Sequence, residues 1–254
     1  MNTIAIQDRA PLRCYVLEAR CEFLRLLRAP SFAVPTLVFP PMFYLLFGVL
    51  LAGPHGAGKA GSYLLATYGV FGVMAPGLFG FGVAMALDRE RGFLALKRAL
   101  PMPPGAMLLA KMAMAMVFAA MISIILASIA LTLGHVALAP LQLAELFAVN
   151  VLGVLPFCAI GLYIGTAVSG QGAPAVINLL YLPMAFLAGL WMPLSMLPPL
   201  FKTLAPVWPA YHLSQVALAV VGLDNGGRVL VHVFVLAAVS VLFFLLARRR
   251  LARG

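Results

Sequence analysis

Carboxylates are scarce in this sequence: seven Asp and Glu stand against seventeen Lys and Arg in 254 residues, leaving a formal net charge of +10. Charged residues make up 9% of the chain and hydrophobic ones 64%, with a mean hydropathy of +1.07. A soluble globular domain carries about a quarter charged residues, so this composition excludes one and indicates an integral membrane protein. The shortage of acids also bears on mechanism. Ion-coupled carriers keep a carboxylate inside the membrane as the coupling site. Here Asp88 and Glu90 fall in a polar island and Glu145 and Asp224 at the edges of apolar runs, which argues against a self-contained proton- or sodium-driven carrier.

Other chemistry is equally thin. Cys14 and Cys21 lie two helical turns apart, about 10 Å, and Cys158 sits within an apolar run, so the three cysteines build no disulfide framework. His55, His135, His212 and His232 are scattered, and no HExxH, GxSxG or Cys/His set with metal spacing occurs. Ser195 or Ser214 with His212 is the one remaining combination, with neither a base nor an oxyanion hole organised around it. The loop GPHGAGKA, with Gly53, Gly58 and Lys59, imitates a phosphate-binding loop. Yet Ala60 lacks the hydroxyl that would meet magnesium, and the loop follows an apolar span rather than a core strand.

What the chain does have is membrane-length apolar runs, six of them: 31–52, 62–87, 106–133, 146–168, 174–194 and 228–247. Pro35, Pro40 and Pro41 should kink the first, and Gly161 and Gly165 form a small-residue pair suited to close helix packing in the fourth. Lys111, near the start of the third, is expected to snorkel to the headgroups. Residues 195–223 read as an outer hairpin, re-entrant or on the surface, because Pro206 and Pro209 interrupt it and His212 and Gln215 lie mid-stretch. Residues 11–28 read as an amphipathic interface helix. Leu12, Val16, Phe23 and Leu26 share one face, and Arg13, Arg20, Arg25, Glu18 and Glu22 occupy the rest.

Fourteen of the seventeen basic residues cluster in the N-terminal segment, in the island 88–111 and after the last run. Short loops rich in Lys and Arg stay inside, so both termini and the island belong to the cytoplasm of a bacterial-type inner membrane. Basic clusters that flank apolar runs set topology, and they give no reason to expect nucleic acid. Asn150, Asn178, Tyr163 and Tyr181 are the polar and aromatic residues that could line a substrate path. Each polar group within the runs, including Ser123, Ser128 and Thr166, also has a plainer reading as glue between helices.

The island, ALDRERGFLALKRALPMPPGAMLLAK, resembles the signature of ABC type-2 transporter permeases: a charged turn, a Leu-rich helix ending in basic residues, a proline turn and a helix opened by Lys. The stretch FLAGLWMPLSMLPPLFKTLAPVWPAYHLSQVALAV is similar to the fifth span and outer hairpin of that family. The resemblance implies an all-α polytopic protein of six spans, the membrane half of an exporter. It would pair with a second permease copy and with two separate ATP-binding subunits, which hold the ATP and Mg. It further implies a coupling surface of Asp88, Arg89, Glu90, Arg91, Gly92, Phe93, Leu96, Lys97 and Arg98. The chain has Phe93, Leu94 and Ala95 where relatives often place Thr-Leu-Glu. Sparse polar groups in the spans favour an amphiphilic, drug-like or lipid-like substrate; a polysaccharide or lipid-linked glycan is the rival within the family, and a partner-independent carrier or channel the rival outside it.

Overall fold

A computed structural model describes residues 10–51, 58–99, 105–224 and 226–253. The phosphate-loop imitation at 53–57, the prolines at 101–104 and the side chains of Lys97 and Arg98 lie outside the described residues. Among the described residues every regular element is a helix. In order the helices are α1 (Ala10–Leu27), α2 (Pro30–Leu50), α3 (Lys59–Glu90), α4 (Phe93–Ala99), α5 (Ala106–Thr132), α6 (Pro140–Ala167), α7 (Ala173–Leu187), α8 (Pro199–Leu204), α9 (Pro209–Val220) and α10 (Val229–Arg253). Five of them, α2, α3, α5, α6 and α10, are long and apolar enough to cross a membrane.

Proline shapes these helices without ending them. A proline offers no N–H to the carbonyl one turn back. The expected kinks of α2 take the form of a helix that continues through Pro35, Pro40 and Pro41 and then widens to π-helix over Tyr44–Leu50. Pro76 likewise opens a π-helical stretch, Pro76–Val83, inside α3. In α6 the helix breaks at Val154, two residues before Pro156, so the expected fourth span is two helical pieces.

Glycine sets the central contact. α3 and the second half of α6 meet at Gly77, Gly82, Gly161 and Gly165, and a Cβ on Gly161 would stand 2.5 Å from the Gly77 carbonyl oxygen. The packing expected of the Gly161/Gly165 pair is present. Gly153, on the other piece of α6, faces Leu213 of α9 instead. α10 covers the outside of α6, and α1 lies against α5, where Phe23 meets Phe118 at 5.4 Å between ring centroids.

The fifth apolar run is shorter as a helix than as a run. α7 ends at Leu187 because Gly189 takes a left-handed conformation (φ +74°) and Leu190 N–H closes back on the Ala185 carbonyl. That is a helix stop, for which glycine is the favoured residue. Fifteen residues rise about 22 Å. The stretch 195–223 forms α8, two 3₁₀ turns and α9, with His212, Ser214 and Gln215 buried where α9 packs on α3, α6 and α10.

Candidate coupling segment and transport groove

The charged island is partly buried, and its first residues serve the protein's own interior. Asp88, at the end of α3, is 3% exposed. Its Oδ2 accepts from Lys111 Nζ at 2.7 Å and its Oδ1 from Arg25 Nη1 at 3.0 Å. Lys111 also lies 3.1 Å from Glu22 Oε1, and Arg25 lies 2.8 Å from Glu22 Oε2 as an ion pair without hydrogen-bond alignment. Two cations and two anions from α1, α3 and α5 thus close a neutral ring. Lys111 is fully buried, so it does not snorkel, and Glu22 turns inward from the polar face assigned to it. A charge this deep persists only when paired and hydrogen-bonded. Arg13 and Arg20 remain exposed on α1, as an interface helix requires.

Arg89 and Glu90 turn the other way, toward the connection between α6 and α7. Arg89 donates through Nη1 to the Thr166 carbonyl and through Nη2 to the Val168 carbonyl, the latter at 2.8 Å. Glu90 Oε2 accepts the Gly170 N–H at 2.7 Å. Arg91, Gly92, Phe93 and Leu96 face outward, and Gly92 makes the turn from α3 into α4 at φ +73°. Gly92 is therefore a left-handed turn, followed by a seven-residue helix with two exposed apolar side chains.

Beside this segment a groove of about 830 Å³ runs between α2, α3 and α7. Its charged end carries Arg25, Asp88 and Arg91, and its walls are apolar, with Phe32, Phe39, Phe43, Phe71 and Phe79 among them. Asp88 and Phe71 are seventeen residues apart on α3, so the groove extends about 25 Å along that helix. Tyr181 and Asn178, both expected on a substrate path, line it together with Trp191. Tyr181 donates to the Phe71 carbonyl at 3.2 Å and packs its ring on Phe71 and Phe79 at 5.2 and 5.5 Å.

The other two expected path residues lie elsewhere. Asn150 is buried against Gly69, and Tyr163 meets the ring of Phe243 at 5.6 Å. Ser123, Ser128 and Thr166 donate to carbonyls of their own helix three or four residues back, so they are not the interhelical glue expected of them. Ser214 donates to the Tyr211 carbonyl while His212 bridges Pro206 O and His232, so the two form no nucleophile–base pair.

Sequence reading missed the groove's Phe32, Phe79 and Trp191, and the partnership of Glu22 with Lys111. A lone Lys inside an apolar run was the available signal, because an unpaired cation there is costly. Nothing in the spacing pointed to its partner 89 positions earlier.

The chain is 27% identical over 228 residues to "Putative transport permease YvfS" of Bacillus subtilis (strain 168), a match that covers 89% of this chain and 92% of the relative. The family description "ABC-2 type transporter" matches residues 16–221, a range that takes in α2 to α9 and with them the charged segment and the groove. The chain is a multi-pass membrane protein that belongs to the ABC-2 type transporter family.

Proposed function

We propose that this chain is the permease subunit of an ATP-driven exporter that moves an amphiphilic, drug-like or lipid-like molecule out of the cytoplasm. Permeases of the family generally work with an ATP-binding subunit. In this reading ATP and Mg stay on that partner, two partner copies serve two permeases, and this chain hydrolyses nothing itself. The single observation that carries the substrate reading is the groove, about 25 Å of aromatic and aliphatic wall with its charged residues at one end. An amphiphile matches that polarity, since its tail removes apolar wall from water while its head stays at the charged mouth.

The topology follows from the basic residues. Both termini and α4 lie in the cytoplasm, α7 counts as the fifth of six crossings despite its length, and α8 with α9 forms the outer hairpin. α4 is the docking element, presenting Phe93, Leu96 and Arg91, together with Lys97 and Arg98 of the island, to a cleft of the ATPase. Closure of two ATPase subunits draws two such elements together and favours the permease state that binds them better.

The test is purification of the tagged chain in mild detergent, followed by reconstitution. Recovery of an ATP-binding subunit, with ATP-dependent movement of a fluorescent amphiphile across liposomes, supports the reading. Movement of the probe by this chain alone, without ATP, refutes it.

A further inference from the structure

The turn between α6 and α7 is held from three directions. At the end of α6 the last carbonyls have no partner within the helix, and two arginines supply one. Arg89 reaches the Thr166 and Val168 carbonyls, and Arg250 of α10 donates to the Thr166 carbonyl at 3.2 Å. Cations at a helix C-terminus are also favoured by its dipole. One residue on, Glu90 takes the Gly170 N–H at 2.7 Å, and Gly170 is buried so tightly that a Cβ there would stand 2.3 Å from Glu90 Oε2 and 2.7 Å from Leu87 Cδ2. Ser169 leads into α7, its carbonyl accepting from the Ala173 N–H at 2.9 Å. From there α7 runs directly into the groove wall at Pro174, Asn178 and Tyr181.

We infer that Arg89 and Glu90 are positioning residues that grip the 168–172 turn, so that a displacement of the coupling segment is passed to α7 and changes the groove. The inference rests on the exporter reading, in which α4 docks on the ATPase. It gives these two residues a different role from their neighbours. Arg91, Phe93 and Leu96 meet the partner, while Arg89 and Glu90 stand one residue inside and transmit. The grip is stiff because it is bidentate: a guanidinium on two carbonyls and a carboxylate on an N–H, both from consecutive residues at the end of a helix continuous with the groove's other wall. α3 and α7 are then coupled at one end by this grip and at the other by the Tyr181 hydroxyl on the Phe71 carbonyl.

Three variants of the full permease, purified with its ATPase, test this. Glu90→Gln keeps a carbonyl oxygen to accept from Gly170 and removes the charge. Glu90→Ala removes the acceptor. Gly170→Ala keeps the Glu90 side chain and pushes its carboxylate away from the turn. Transmission through the turn predicts that E90A and G170A retain the ATPase and hydrolyse ATP but move at least tenfold less amphiphile per ATP, whereas E90Q stays within about twofold of the unmodified protein. Should G170A fail to insert, E90A, which adds no bulk, gives the same reading. The inference is overturned if E90Q loses the ATPase as E90A does while G170A behaves normally, because Glu90 would then act by its charge on the partner. It is equally overturned if E90A transports with unchanged stoichiometry. Failure of the exporter reading shows separately, as absence of an ATPase in the pull-down of the unmodified chain, and takes this inference with it.

Discussion

Lys111 lies near the start of the third apolar run and yet is among the most buried of the described side chains. It is held there by Asp88 at 2.7 Å and Glu22 at 3.1 Å, two carboxylates from different helices. Removing one member of such a group leaves a buried charge uncompensated, at a cost of about 3–5 kcal/mol. Lys111→Met should therefore lower the melting temperature in detergent by several degrees, because Glu22 and Asp88 then share only Arg25. A double replacement, Lys111→Met with Glu22→Gln, should recover part of the loss, and a thermal melt of the two variants checks both statements. The sequence reader sees Lys111 and Glu22 separately, each with an ordinary surface reading. Only the packing of α1 on α5, where Phe23 beside Glu22 meets Phe118, converts two charges with surface readings into one buried pair.

Among helices, legibility followed the type of signal. The apolar runs gave the long helices nearly to their ends, since twenty or more apolar residues leave few alternatives. Helix ends set by a single residue were harder. Gly189 looked like any small residue in an apolar run, and its left-handed turn is what stops α7. The close pair Gly161 and Gly165 was legible because small residues four apart have one common use in membranes. Gly161→Leu should cost about 1–3 kcal/mol or more through overpacking, since its first atom would meet the Gly77 backbone at 2.5 Å. A reduced yield of folded protein on size-exclusion chromatography would register it, and an unchanged profile and melting temperature would contradict it.

The first turns of α9 and α10 are tied by a histidine pair that no sequence pattern announced. His212 Nε2 lies 2.8 Å from the Pro206 carbonyl and so must donate; its Nδ1 then accepts from His232 Nδ1, also at 2.8 Å. Tyr211 stands edge-on to both rings. His212→Ala, which removes both bonds, should raise protease access to the 199–228 segment in nanodiscs, and access equal to that of the unmodified protein would dismiss the tie.

For the whole molecule, fold and site differ in how far they could be read. A helical membrane bundle with a charged segment at one face was legible from composition and charge placement alone. The groove was not, because its walls come from α2, α3 and α7 and its aromatic residues are unremarkable within their own runs. Phe79 meets Tyr181 across about a hundred positions of sequence. The outward face of α4 makes the remaining prediction. Phe93→Asp with Leu96→Asp places two charges on the exposed apolar side of a seven-residue helix. Co-purification of the ATPase should drop at least tenfold, with insertion and melting temperature unchanged; full retention would move the docking surface elsewhere.

α7 also sets a condition on the surrounding lipid. On the six-crossing reading proposed above, a wall of about 22 Å in a hydrocarbon layer of about 30 Å is a hydrophobic mismatch, which thinning of the adjacent leaflets would meet. Because this helix borders the groove, the bilayer would then be thinnest beside the proposed substrate path, and a polar headgroup would have fewer ångströms of oil to cross there. Acyl-chain length then becomes a control on the rate: transport should run faster in short-chain lipids than in long-chain ones, even where ATP hydrolysis is the same in both.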